Sequence, residues 1–228
     1  MQLDWIGQNN SSARKVDGSD YQGVTCGLQY GGPMVEIHPQ RIWGKWKLGY
    51  ALDFHTTSST PIGENEYGHM QFDTVRPPVA ECLYRLKYRS DQAAVVDISE
   101  AAVTFLRQHW SPFEVIVPVP PSSQRLLQPV ILVAQTIGAG LGVPVSQCIA
   151  PTRTTSQLKN ITDPEERAQL LDGLYALDPS QTRGKNVLLF DDLFRSGSTL
   201  NAITSLLYGA GSAQRVDVLT ITRTRSNQ

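Results

Sequence analysis

Cysteine is scarce in this sequence. Its 228 residues include only Cys26, Cys82 and Cys148, far apart and with no C-x-x-C pair. That spacing excludes a zinc ribbon, and an odd, scattered set does not make a disulfide framework. Three reduced thiols in a reducing compartment are the simplest reading. An excess of charge of one sign is also missing: 20 Lys and Arg face 21 Asp and Glu, a net charge of −1. No global attraction to nucleic acid or to an anionic membrane follows, so any such contact needs a local patch. No apolar run is long enough to span a bilayer. The opening Met1-Gln2-Leu3-Asp4-Trp5 lacks the basic region and apolar stretch of a secretory signal. A cytoplasmic protein with no membrane partner is the expectation. The length suits one large α/β domain, or a domain with a smaller appendage, burying a core without metals or disulfides.

The chain divides by texture. Residues 7–33 are rich in Gln, Asn, Ser, Asp and Gly and read as loop. Over 42–54 the even positions Ile42, Trp46, Leu48, Tyr50, Leu52 and Phe54 are apolar, and Lys45, Lys47 and Asp53 fall between them. Such alternation predicts strand with one buried face, bent at Gly44 or Gly49. Residues 55–75 read as a polar loop. From Arg76 helices are expected: one opening at Pro77 and Pro78, a second over 91–109, a third near 128–141 and a short one over 163–171. Phe113 to Val119 reads as a buried strand feeding a proline loop. These textures suggest a unit of residues 1–75, β-rich with loops, and an α/β domain of residues 76–228.

The most informative stretch is Val187-Leu188-Leu189-Phe190-Asp191-Asp192-Leu193-Phe194-Arg195-Ser196-Gly197-Ser198-Thr199. An apolar strand ends in two carboxylates, and a Ser/Gly/Thr loop then opens a helix carrying Leu200, Ile203, Leu206 and Leu207. A strand over 216–221 follows, so this is a βαβ unit with parallel strands. Backbone N–H groups at a helix start suit a phosphate. Gly197 permits close backbone approach, and Ser196, Ser198 and Thr199 add donors. Paired carboxylates accept hydrogen bonds from a ribose diol. Open α/β sheets bind ligands at the carboxyl ends of such strands. The G-K-[ST] element of a Walker loop is missing, and so is a G-x-G-x-x-G fingerprint. A bland alternative is that Asp191, Asp192 and Ser196 only cap the helix.

Four apolar residues, two acids and a hydroxyl- and glycine-rich loop resemble the phosphoribosyl pyrophosphate (PRPP) signature of type I phosphoribosyltransferases. The resemblance implies a parallel sheet flanked by helices, with residues 1–75 as a small β-rich hood. It implies that Asp191 and Asp192, the catalytic pair, hold the ribose hydroxyls and that Arg195, Ser196, Gly197, Ser198 and Thr199 cradle the 5′-phosphate. Arg195 stands where the family more often has threonine. Val117-Pro118-Val119-Pro120-Pro121, then Arg153-Thr154-Thr155-Ser156-Gln157-Leu158 and Arg167 are similar to the ComF-like branch of the fold. By that resemblance Ser122, Ser123 and Arg125 face the pyrophosphate, and Arg153 and Lys159 belong to a flexible loop closing over it. The chain departs from that branch in having no N-terminal cysteine ribbon and in reading Arg125-Leu126-Leu127-Gln128 after the proline loop.

The implied reaction is transfer of the phosphoribosyl group to an acceptor the sequence does not identify, with Mg²⁺ carried on the PRPP diphosphate and no dedicated protein metal site. His55, Glu64, Glu66 and His69 are acceptor-side candidates, although a histidine in a polar loop is more often incidental. A second function class is a PRPP-responsive regulatory module without turnover. A third is a ComF-like protein handling single-stranded DNA: Arg41, Trp43, Lys45 and Lys47 share a face if the strand alternation holds, and Arg85, Lys87, Tyr88 and Arg89 make a second basic cluster. A solvated strand face and a helix end where cations are favoured is the simpler reading of the two clusters. A homodimer is among the assemblies open to the chain.

Overall fold

The computed structural model describes residues 34–110, 112–121, 128–153, 171 and 173–225. At its centre is a sheet of β1 (Gln40–Arg41), β2 (Leu48–Phe54), β5 (Val115–Pro118), β8 (Asn186–Phe194) and β9 (Arg215–Arg223), in the order β1-β2-β9-β8-β5. The four long strands are mutually parallel and β1 is antiparallel to β2. Parallel strands need cover on both faces, which is why Val115 to Pro118 and Val187 to Phe190 are uniformly buried.

Two apolar clusters provide that cover. On one face α1 (Pro78–Tyr88), α2 (Ala93–His109) and α3 (Pro129–Leu141) pack Leu83, Ile98, Phe105 and Ile137 against Leu52, Ile116, Leu188, Phe190 and Leu219. On the other, α4 (Ser198–Tyr208) lays Leu200, Ile203 and Leu207 on Val117, Val187, Leu189 and Val218. Local chemistry sets the helix ends. Pro78 opens α1, whose last turn carries Arg85 and Lys87, and Gly142 closes α3 at φ 70°. The protein is thus a mixed α/β structure, its largely parallel sheet flanked by helices. No helix among the described residues is long and apolar enough to cross a membrane.

Two expectations need correction. The strand expected over 42–54 begins only at Leu48, and residues 42–47 form a bend. Trp46 causes it: the buried indole folds back between Gly44 and Gly49, where an added Cβ would come within 2.3 and 2.2 Å of the ring, and its Nε1–H donates to the Ile42 carbonyl at 3.2 Å. Residues 58–75, expected as loop, form an antiparallel hairpin of β3 (Ser58–Glu64) and β4 (Met70–Val75). Both its faces are largely exposed, so no apolar alternation marks it. Asn65 builds its turn by accepting from the N–H groups of Tyr67 and His69. A third small sheet pairs β6 (Ile149–Pro151) with β7 (Tyr175–Leu177). The helix expected over 163–171 lies outside the described residues apart from Leu171, which is helical and buried.

Candidate functional site

The topology creates a crevice at one place. β5 is followed by α3 on one face, and the chain returns beyond β5, where Val145 bridges Ile116. β8 is followed by α4 on the opposite face and leads to β9 on its other side. Connections leaving adjacent strands in opposite directions open a gap at the carboxyl ends, where α/β sheets take ligands. Into this gap between β5 and β8 project the proline loop after Pro118 and the segment Asp191 to Gly197. The Val119 N–H donates to the Phe190 carbonyl at 2.8 Å and fixes the two rims together.

The strand runs farther than the sequence suggests. β8 continues through both carboxylates to Phe194, and the loop proper is only Arg195 to Gly197. Successive strand residues alternate faces. Asp191 therefore shares the α4 side with Leu189, while Asp192 follows Phe190 toward the α1 side, where its Oδ2 lies 2.5 Å from Lys87 Nζ. Asp191 Oδ1 accepts the Asp192 N–H at 2.8 Å. Burial and the neighbouring Asp192 charge push Asp191 up to about 8, opposed by that N–H and by Lys87.

The rise of Asp191 has a consequence for stability. Between about pH 4, the range of an unfolded aspartate, and about 8, the folded chain holds a proton the unfolded chain has lost. Stability from this group is full below that window and drains away as pH rises through it. Asp191→Asn, neutral at every pH, should match wild type near pH 4 and exceed it above pH 8 by on the order of 1–3 kcal/mol. Thermal unfolding at the two pH values checks this.

The phosphate-loop candidates come together at the start of α4. Gly197 is its N-cap, at φ 75°, with no side-chain cap on the helix N–H groups. The Ser196 and Ser198 hydroxyls meet at 3.0 Å, and Arg195 and Ser196 are exposed. Thr199 follows in the first turn. A Cβ at Gly197 would lie 2.8 Å from Phe194 Cε2, on a backbone that L residues rarely adopt. Gly197→Ala should therefore cost about 1–2 kcal/mol, read by denaturant unfolding, and should distort the loop.

Of the remaining candidates, Arg153 lies exposed just after β6. Ser122, Ser123, Arg125 and Lys159 lie outside the described residues. The basic strand face is not formed. Arg41 is in β1 and stacks on Trp43 at 4.6 Å, and residues 43–47 lie in the bend. Lys45 is tied to α4 through Asn201 and Ser205. In the second basic cluster Arg85 pairs with Asp91 and Asp97, and Lys87 with Asp192.

Sequence reading missed Lys87 and Thr222 as site residues. The Thr222 hydroxyl donates to the Asp192 backbone carbonyl at 3.2 Å, and His55 Nδ1 lies 3.2 Å from Thr222 Oγ1. Burial is the main reason that His55 sits below the usual imidazole range, helped by Lys87, Arg76 and Arg195 and opposed by Asp192. The lysine at the end of α1 was a possible signal, since cations gather in a last helical turn, but nothing in the sequence aims it at Asp192. Among the described residues no group of three or more His, Cys, Asp or Glu is placed to hold a metal ion.

No family model and no curated protein matches the chain. Among solved structures it is similar to the glutamine PRPP amidotransferase of B. subtilis, at 18% identity and TM-score 0.45 over 69% of this chain and 34% of that one. It is similar also to the adenine phosphoribosyl transferase of Trypanosoma brucei, at 13% identity and TM-score 0.43 over 82% of this chain and 75% of that one. A third similar structure, the allosteric regulatory enzyme of purine biosynthesis, has 19% identity and TM-score 0.40, and this chain spans 26% of its length. Likeness at this level says nothing of activity, so any functional reading rests on the residues themselves.

Proposed function

We propose that the protein binds PRPP in the crevice between β5 and β8 and transfers its phosphoribosyl group to an acceptor, releasing pyrophosphate. The observation that carries this reading is the end of β8: two adjacent carboxylates on a parallel strand, then a left-handed glycine opening an uncapped helix. Uncapped N–H groups and the Arg195 to Thr199 segment suit the 5′-phosphate, where helix partial charge and hydroxyl donors add. Asp191 and Asp192 suit the ribose hydroxyls, with Lys87 keeping Asp192 oriented. Ser122, Ser123 and Arg125 continue from the proline rim that faces β8, and they, with Arg153 and Lys159, are the proposed pyrophosphate contacts and closing loop.

Displacement at the ribose anomeric carbon passes through a cation-like transition state, so positioning and electrostatics do most of the work. The Asp192 carboxylate on the ribose side stabilises that developing positive charge. Mg²⁺ would enter as the ion of the PRPP diphosphate, where it would neutralise the leaving group. The exposed β3–β4 hairpin and the rest of residues 1–75 are the proposed hood on the acceptor side. The ComF-like affiliation rests on the proline loop and the Arg153 to Leu158 stretch alone.

The test is pyrophosphate release from Mg-PRPP, offered with purine and pyrimidine bases and simple amines, by wild type and by Asp192→Asn. Release that the variant lacks supports transfer. PRPP binding without release under any condition would make the protein a PRPP-responsive regulatory module.

A further inference from the structure

His55 occupies a position the strand signature does not explain. It follows β2 directly, and its backbone N–H donates to the Arg223 carbonyl at 2.7 Å, pinning it to the carboxyl end of β9. Its ring is held as well, with Nδ1 3.2 Å from Thr222 Oγ1. Thr222 is fully buried, and its single hydroxyl proton is committed to the Asp192 carbonyl. The oxygen can then only accept from the imidazole. Nδ1 must carry the hydrogen, so Nε2 carries the lone pair. Nε2 has no hydrogen-bond partner among the described residues, and it is not among the buried unsatisfied atoms. A basic nitrogen that is not fully buried thus stands within electrostatic reach of Asp192, oriented by a hydrogen-bond chain that begins at the signature strand itself.

The charges around His55 keep that nitrogen unprotonated. Lys87 from α1, Arg76 just before α1 and Arg195 from the phosphate loop all oppose protonation, and burial opposes it more strongly than any of them. Asp192 alone favours it, and Lys87 sits on Asp192. Glu64, Glu66 and His69, the other acceptor-side candidates, lie on the exposed hairpin and its turn and have no such link to β8 or β9.

We propose that His55 is the general base of the transfer, its Nε2 taking the proton of an acceptor N–H. The assignment rests on the PRPP reading above. The acceptor class is a nitrogen heterocycle or an amine. As the acceptor nitrogen bonds to ribose C1, the bond from C1 to the diphosphate oxygen breaks, pyrophosphate leaves with its electron pair, and the acceptor proton passes to His55. No oxidant, reductant or further reactant is needed. A neutral imidazole is matched to this task near pH 7, where general-base catalysis contributes about 10²–10⁴-fold.

The experiment combines two readouts on the full chain. Long-range ¹H–¹⁵N NMR of the free protein reports the His55 tautomer and titration: the expected result is an Nδ1–H ring titrating below 6.5, moved upward by Lys87→Met. Pyrophosphate release from Mg-PRPP is then followed between pH 5 and 8 with adenine, hypoxanthine, uracil, anthranilate or water as acceptor. His55→Gln should lower turnover about 100-fold or more, flatten the acidic limb of the pH profile, and leave the PRPP dissociation constant within about threefold. An Nε2–H tautomer overturns the assignment, and so does turnover in His55→Gln equal to wild type with the same acidic limb. Wild type that binds PRPP but releases no pyrophosphate with any acceptor also overturns it, leaving the PRPP site standing. Wild type that binds no PRPP overturns both readings together.

Discussion

Phe190→Ala is expected to destabilise the protein by about 3–5 kcal/mol. Phe190 is fully buried and ranks among the largest such side chains. It lies on β8, an interior strand paired on one side with β5 and on the other with β9. Its ring belongs to the cluster that joins the sheet to α1, α2 and α3. The cavity has little freedom to collapse, because ladder bonds hold the strand and the Phe190 carbonyl also accepts from Val119 at 2.8 Å. Asp191 follows immediately, so the loss reaches the site as well as the core. Phe190→Leu, which keeps most of the volume, should cost under about 1.5 kcal/mol. Urea unfolding with an unchanged m-value is the measurement that separates a true stability loss from a change in the unfolded chain.

The second large effect is expected from Lys87→Met. The Lys87–Asp192 pair is mostly sealed, with side chains 16% and 20% exposed and 2.5 Å between charged atoms. Replacing the lysine leaves Asp192 beside Asp191 without its direct counter-ion. Removing one partner of a fully buried pair costs about 3–5 kcal/mol. The residual exposure here reduces the expectation to about 2–3 kcal/mol, since exposed pairs are worth 1 kcal/mol or less. Lys87 also stands in the last turn of α1, where a cation is favoured, so methionine forfeits that smaller contribution too. Asp192→Asn added to Lys87→Met should recover most of the loss. The coupling in the double-mutant cycle then measures the pair itself rather than either side chain.

Much of this architecture was legible because periodicity and punctuation agree with it. Pro78, Gly142, the apolar run Val187 to Phe190 and the face Leu200, Ile203 and Leu207 each report a local preference that the tertiary structure keeps. Residues 42–47 were misread because the alternation of Ile42 and Trp46 with lysines is real, but two glycines let the indole fold back and bend the chain. The hairpin over 58–75 was invisible for the opposite reason: with both faces in water, no pattern of burial is written into it. At the site, Asp191, Asp192 and the Arg195 to Thr199 loop could be read because they are consecutive. Lys87 and Thr222 could not, because they reach the Asp192 carboxylate and the Asp192 backbone carbonyl from α1 and from β9, and no sequence spacing encodes that meeting or the link from Thr222 to His55.

The central claim, a PRPP site at the end of β8, is tested most directly by calorimetric titration of PRPP, with and without Mg²⁺, into wild type and the Asp191→Asn/Asp192→Asn variant. The expected result is saturable binding by wild type that the folded variant loses by about 100-fold or more, the equivalent of roughly 2.7 kcal/mol. Absence of PRPP binding by wild type, or equal binding by the variant, would contradict the assignment of these carboxylates to the ribose and send the search for a ligand elsewhere on the molecule.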